Sequence, residues 1–496
     1  MRQFPAAAPT GRPLILLAVA FALLLGGCAK PPRPQAPPPV PATIAAEPRD
    51  LRDIPQDVSG LLAQSGLDPD APLLAPEAQA GFLARLRAAH FGPWGQANAT
   101  FGRAAALWGL DKLAPGRYFG ENLRPLEPGF QAEMEAQCRA ASYPSLALPA
   151  IATANTSLRV LPTIRPGFLK PTRPGEGFPF DYWQNSGVWA GTPLMVTHLS
   201  ADGAWALVEA RNAGGWVRVA DIAYVDEAFM ARWKELPLLA VTREHTPVSG
   251  LVEVRTLERG EAPRWTGREA FLFQGRIGTV LPLVAQDADG YTALAPARNA
   301  DGRAVSLVVR LPKDAAAAMP LVATPRNFGR LADQMLGQPY GWGGYLDNRD
   351  CSALLVDLYA PFGVFLPRNS TQQAKSGEVI GFNGLANPER EALLRARGVP
   401  FLTLLRKPGH ILLYLGQLPE PNGGRAAMLH AVWGLKTLDA DGVEGRLVLG
   451  RTVITTLEPG RELPDVARAG TLLTGMTGMT LLAPGGQPPA GPDRIR

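Results

Sequence analysis

Two stretches of this chain repeat each other without a gap. Residues 191–218 (GTPLMVTHLSADGAWALVEARNAGGWVR) and 278–305 (GTVLPLVAQDADGYTALAPARNADGRAV) lie at a constant offset of 87 and agree at 13 of 28 positions. Ala201-Asp202-Gly203 answers Ala288-Asp289-Gly290, and Arg211-Asn212-Ala213 answers Arg298-Asn299-Ala300. Turn dipeptides of this kind between short apolar runs are hairpin signals. The pattern predicts two tandem β units, a duplicated small barrel, because two repeats are too few for a solenoid. Such units occupy only part of a 496-residue chain, and one hydrophobic core stops growing near about 250–300 residues. Other domains must flank the repeat. At 46% hydrophobic and 19% charged residues the chain can bury cores and is not wholly disordered. A net charge of +5 with no run of five Lys or Arg gives no indication of a nucleic-acid partner.

The N-terminus reads as a targeting segment. Arg2 and Arg12 precede an unbroken apolar run from Leu14 to Leu25, too short to span a bilayer and of the right length for a signal peptide. Leu25-Gly26-Gly27-Cys28 then resembles the lipobox of bacterial lipoproteins. The resemblance implies cleavage of residues 1–27, lipidation of Cys28 and a membrane anchor. Several acyl chains hold stably where one does not. Ala29 after the cysteine fits an outer-membrane lipoprotein facing the periplasm. Residues 28–50 form a linker in which seven of the eleven residues 31–41 are proline, a stiff polyproline II spacer.

Residues 51–150 are expected to be a helical N-terminal domain, with its best helices at Ala75–His90 and Phe130–Ala141. Cys138, alone on the second of these, reads as a small core residue. The texture then turns to short β-like runs between glycine turns from Leu158 to about Leu311, which places one β unit at 151–240 and a second at 241–318. Phe178-Pro179-Phe180-Asp181-Tyr182-Trp183-Gln184-Asn185-Ser186 and Gly215-Trp216-Val217 resemble the bacterial SH3-like domain found beside cell-wall peptidases. Those aromatics suit either a barrel core or a binding cleft.

The last segment, 319–496, carries the chemistry. Pro339-Tyr340-Gly341-Trp342-Gly343-Gly344 leads to Asp350-Cys351-Ser352 and an apolar run, Ala353 to Tyr359, that reads as a helix stopped by Pro361. A thiol attacks only as thiolate, and a helix N-terminus or an adjacent imidazole favours that form. Of five histidines, His410 opens one strand-like run (HILLYLG) and His430 lies within another (MLHAVWG), 59 and 79 residues beyond Cys351. A cysteine-headed helix followed by two histidine-bearing strands fits a thiol, a base and an orienting group. His90, His198 and His245 lack such context and read as structural.

PYGWGG, DCSALL, LPRNS, GHILLYLG and LHAVWG, in that order over about 337–435, resemble the NlpC/p60 family of papain-like cysteine peptidases. The fold expected is α+β, a papain-like catalytic domain preceded by two SH3-like barrels and a helical segment. The resemblance implies Cys351 as nucleophile, His410 as general base, His430 as the group that orients His410, and Tyr340 beside the oxyanion region. It also implies Asn369 and Ser370 as substrate contacts, and neither metal nor organic cofactor. Family members that require a free L-Ala amine often carry aspartate where Asn369 stands; asparagine lacks the charge to pair with an ammonium. An insertion at about 382–405 is expected to reshape the cleft. The activity implied is cleavage of peptidoglycan stem peptides, at the D-γ-glutamyl–diamino acid bond. Two alternatives share the same domains: a silent wall-binding lipoprotein, and an acyl- or peptidyl-transferase.

Overall fold

The computed structural model describes residues 47–256, 264–419 and 424–483. Cys28, the expected signal peptide and most of the proline-rich linker lie outside them.

The repeat is a duplication of a whole sheet. Strands β1 (Leu148–Ala152), β2 (Thr156–Arg159), β3 (Gln184–Val188), β4 (Pro193–Leu199), β5 (Trp205–Ala210), β6 (Gly214–Arg218) and β7 (Ile222–Tyr224) form one sheet in the order β3-β2-β6-β5-β4-β1-β7. The next seven are β8 (Leu238–Val241), β9 (Thr246–Thr256), β10 (Arg264–Gly275), β11 (Val280–Gln286), β12 (Gly290–Arg298), β13 (Ala304–Pro312) and β14 (Ala316–Ala318). Their order is β10-β9-β13-β12-β11-β8-β14, the first order with every strand advanced by seven. Asp202-Gly203 and Asp289-Gly290 fall at the β4–β5 and β11–β12 hairpins, and Gly203 adopts φ 69° there. The two sheets begin at Leu148 and Leu238. The β region thus starts ten residues before Leu158, because β1 pairs with both β4 and β7 and completes the first unit.

The helices of residues 51–150 build no core of their own. The best two run over Pro76–Phe91 and Phe130–Cys138, the second ended by Arg139 at φ 43°. Val58, Leu61 and Phe82 pack with Phe328, Leu354 and Leu358 of the last segment. Phe130, Met134 and Cys138 pack with Trp183 and Trp216 of the first sheet. These helices are short, and short helices gain their stability mostly by burying a face against neighbours. Cys138 is fully buried and unpaired, and burial pushes its thiol up to about 12.

The last segment is a cysteine-headed helix on a six-stranded antiparallel sheet. Strands β15 (Glu378–Gly381), β16 (Thr403–Lys407), β17 (His410–Gln417), β18 (Ala426–Leu438), β19 (Glu444–Thr455) and β20 (Gly478–Leu481) run in the order β15-β20-β16-β17-β18-β19. Leu354, Leu355 and Leu358 of the helix Cys351–Tyr359 share a core with Ile411, Leu413, Leu429 and Ala431. The 382–405 insertion contributes the helix Asn387–Arg397, whose Leu394 packs with Phe382, Leu405, Leu412 and Tyr414. None of its residues lines the cleft described below, so the expected reshaping of the cleft is not found. The insertion closes a second apolar cluster instead.

Candidate active site

Cys351 is the first residue of its helix and is 6% exposed. Asp350, the N-cap, accepts from the backbone N–H groups of Ser352 and Ala353 at 3.1 and 2.8 Å, satisfying donors that a helix N-terminus otherwise leaves unmet. Gly343 N–H donates to the same carboxylate. Arg368 grips it with Nη1 at 3.1 Å and Nη2 at 2.8 Å, and donates from Nε to Ser186 Oγ of β3 at 2.9 Å. Burial works to raise the Asp350 carboxyl, but the Arg368 charge and hydrogen bonds prevail and hold it low. A buried ion pair therefore sits directly behind the thiol.

The thiol itself rests protonated. Burial pushes Cys351 up to about 12, and the Asp350 charge adds to that. The N–H groups of Ile411 and Ser352 and the charge of Arg368 act the other way. Position at a helix N-terminus thus does not ionise this thiol by itself, because burial, and after it the Asp350 charge, outweigh the N–H groups and the arginine that favour the thiolate.

The histidines form a relay whose proton positions can be deduced. His410 Nε2 lies 2.8 Å from His430 Nδ1, and His430 Nε2 lies 3.0 Å from Thr455 Oγ1. Thr455 Oγ1 donates to the Thr456 carbonyl at 2.7 Å. A carbonyl only accepts, so the Thr455 hydroxyl proton is committed and its oxygen accepts from His430 Nε2–H. With its proton there, neutral His430 accepts at Nδ1 from His410 Nε2–H. Neutral His410 is left with its lone pair on Nδ1. Burial, followed by the charge of His410, holds His430 well below its ordinary range. Burial and Lys407 lower His410 to about 4, against a smaller opposite pull from Asp350. Ile411, next to His410, directs its N–H at Cys351, so the strand that carries His410 also touches the thiol.

A cleft of about 500 Å³ opens over Cys351; His410 and His430 lie behind its lining rather than in it. Tyr340, Asn369 and Ser370 line it together with Cys351, and Gly409 precedes His410 at its wall. Tyr340 is largely buried and its hydroxyl is pushed well above the usual range by burial, with the nearby Cys351 and Asp350 adding to the effect. Asn369 caps the short helix Ser370–Gln373, its Oδ1 accepting from Gln372 N–H at 2.9 Å. That bond uses one lone pair of Oδ1 and leaves the Asn369 NH₂ free to donate to a ligand.

The opposite wall comes from other parts of the chain. Tyr182, Gln184, Asn185 and Asn212 of the first β unit line the cleft, as do Phe101 and Trp108 of the N-terminal segment. Phe180 packs edge-to-face against Trp342 and Trp433, with centroids at 5.4 and 5.7 Å, and at a tilt against Tyr340 at 6.1 Å. The aromatics of residues 178–186 therefore divide their duties. Trp183 is buried where the N-terminal helices meet the first β unit, Phe180 packs against the last segment, and Tyr182 lines the cleft. Gly343 (φ 60°) and Gly344 (φ 87°) lie flat on β3, where a Cβ would meet Gln184 O at 2.7 Å and Gly187 N at 2.4 Å. The glycine-rich approach to Cys351 is thus required by the barrel pressed against it.

Sequence reasoning did not assign Arg368, Ser186, Thr455, Phe101 or Trp108 to the site. Arg368 stands inside the LPRNS element, and its partner Asp350 adjoins the cysteine, so charge pairing there was in principle readable. Thr455 had no local signal; the β18–β19 register, which pairs His430 with Val453, brings it in.

Residues 337–454 match the NlpC/P60 family, residues 166–218 an SH3 domain (SH3b1 type), and residues 17–143 the NLPC_P60 stabilising domain, N term. The structure is similar to that of an NlpC/P60 endopeptidase from Photobacterium damselae subsp. piscicida, at 25% identity and a TM-score of 0.75, over 88% of this chain and 98% of that one. Two proteins of Corynebacterium glutamicum, each named "Probable endopeptidase", are also similar. The one from strain R is 34% identical over 83 residues, and the one from strain ATCC 13032 is 36% identical over 72. These matches span only 39% and 34% of the relatives' own lengths.

Proposed function

We propose, on the premise that this chain is a member of the NlpC/P60 family, that it is a cysteine peptidase hydrolysing peptidoglycan stem peptides. The observation that carries the reading is the Thr455–His430–His410 relay, which leaves a lone pair on His410 Nδ1 in the strand that touches Cys351. In this reading His410 takes the Cys351 proton as sulfur attacks the peptide carbonyl, since both groups rest neutral. His430 then stabilises the imidazolium. The C–N bond breaks as His410 returns the proton to the leaving amine. Water, activated by the same imidazole, cleaves the thioester. Tyr340 lies beside the developing oxyanion. The bond is that between D-γ-Glu and a diamino acid, meso-diaminopimelate in the simplest case.

Digestion of purified sacculi followed by mass spectrometry tests this. The expected products carry a new free amine on the diamino acid. Intact stem peptides, or products in which an added amine has replaced water, would overturn the hydrolytic reading, the second outcome in favour of a transferase.

The pH profile offers a separate check. His410 is lowered, so its base form persists as pH falls and is lost only near about 4. The acid limb of kcat/KM, which reports the free protein, should be centred near about pH 4 rather than near the ordinary imidazole value of about 6.5. A limb centred at or above that value would contradict a buried neutral base.

The lipobox-like Leu25-Gly26-Gly27-Cys28 supports an anchored protein facing the periplasm. Incorporation of a labelled fatty acid, lost in Cys28→Ser, checks the anchor.

A further inference from the structure

Both β units could be independent wall-binding modules, but the second one is tied to the loop that delivers Cys351. Arg349, two residues before the cysteine, has a side chain only 2% exposed. Its Nη2 donates to Glu244 Oε1 at 2.8 Å and to Ile277 O at 2.9 Å, both in the second unit. Its Nε donates to Asp357 Oδ2 at 2.7 Å, on the Cys351 helix, and its Nη1 to Gln338 Oε1 at 2.8 Å, just before Tyr340. Glu244 also pairs with Arg276 and accepts from Ile277 N–H. Arg276 Nη1 in turn holds the Asp347 carbonyl at 3.0 Å, in a turn where Leu346 and Asp347 both take φ 58°. From the first unit, Trp189 Nε1 donates to the Asp357 carboxylate. Gly278 (φ 99°) lets the second unit approach so closely that a Cβ there would meet Asp357 Oδ1 at 2.6 Å.

Two arginines and two carboxylates, each side chain at most 8% exposed, thus balance in charge at the junction of three domains. Buried ion pairs are poor sources of net stability, since desolvation offsets much of the attraction. Held together by directional hydrogen bonds, they are good at fixing geometry. The network grips residues 338, 347 and 349 on one side of Cys351 and residue 357 on the other. We propose that Glu244, through Arg349 and Arg276, is a positioning residue for the Cys351 loop, so that the second β unit is part of the catalytic scaffold.

This rests on the reading of Cys351 as nucleophile, and the test separates the two. The full chain and its Glu244→Gln variant are assayed on a soluble muropeptide, with rates expressed per folded molecule from near-ultraviolet circular dichroism at the assay temperature. Glu244→Gln should lower kcat by about 10–100-fold, the size expected for sub-ångström to 1 Å displacement of a reacting group, with KM changed less than twofold. Glu244→Gln combined with Arg276→Gln should lose less than the product of the two single losses, because no unpaired buried charge remains. Arg243→Gln, which breaks an exposed pair with Asp314 on the same unit, should leave kcat unchanged. A Glu244→Gln rate within twofold of the parent, or a multiplicative double loss, would sink the proposal even if melting temperature fell. No cleavage by the parent itself would overturn the nucleophile reading, and this inference with it.

Discussion

Replacing Cys351 by alanine is expected to abolish cleavage of muropeptides while the protein stays folded. The substitution removes one buried sulfur and little else. The helix keeps its cap, because the Asp350 carboxylate bonds backbone N–H groups and Arg368 rather than the thiol. The apolar face that anchors the helix, Leu354, Leu355 and Leu358 against β17 and β18, is untouched. Losing so small a buried group costs on the order of 1 kcal/mol. Loss of a covalent nucleophile, by contrast, can lower kcat by about 10⁶-fold. The other cysteine among the described residues, Cys138, is fully buried in a different core and cannot take its place. Product formation by Cys351→Ala, read by mass spectrometry at long incubation, would exclude the thioester mechanism.

The second large effect is structural. Arg368→Met should destabilise the protein by about 3–5 kcal/mol, the cost of leaving one member of a buried ion pair without its partner. The variant retains a side chain of similar length but leaves the Asp350 carboxylate uncompensated and also frees Ser186 Oγ on β3. Adding Asp350→Asn should recover much of the loss, because the double variant buries no net charge there. The pH dependence has a definite sign. In the parent, Asp350 is held low, so its contribution is present above the ordinary carboxylate range and lost as pH falls through the lowered value. In Arg368→Met the opposing charge is gone and burial raises the carboxyl, so the folded form takes up the proton and the deficit should shrink as pH falls. Chemical denaturation of both proteins at neutral and acid pH measures this. A deficit below about 1 kcal/mol, or one that grows in acid, would show that the pair does not act as a buried ion pair.

Much of the architecture was legible because it was written in local patterns. The constant offset of 87 pointed to a duplicated β unit, and the identical strand order of the two sheets bears it out. The cysteine-headed helix and the two histidine-bearing strands stand where apolar runs and turn residues put them. The helices of 51–150 were legible too, but not what they would pack against. Amphipathic pieces announce that a face will be buried, but not against what, and here the partners lie in the first β unit and the last segment. The 382–405 insertion was a similar case: its apolar residues signalled packing, and only the fold shows that they divide between the Cys351 core and a second cluster while none lines the cleft.

The sequence by itself determined which groups could do chemistry and in what order they occur: one cysteine after a glycine-rich turn, two histidines on later strands, an Asn-Ser pair between them. Those are local choices, made by residue type and spacing. Only the tertiary structure decided their states. The thiol and the imidazole rest neutral chiefly because they are buried, and the His410 lone pair points from Nδ1 because Thr455, brought in by strand register, has already given its proton to a carbonyl. Protonation depends on neighbours distant in sequence, and those neighbours meet only once the last sheet has formed and packed on the Cys351 helix.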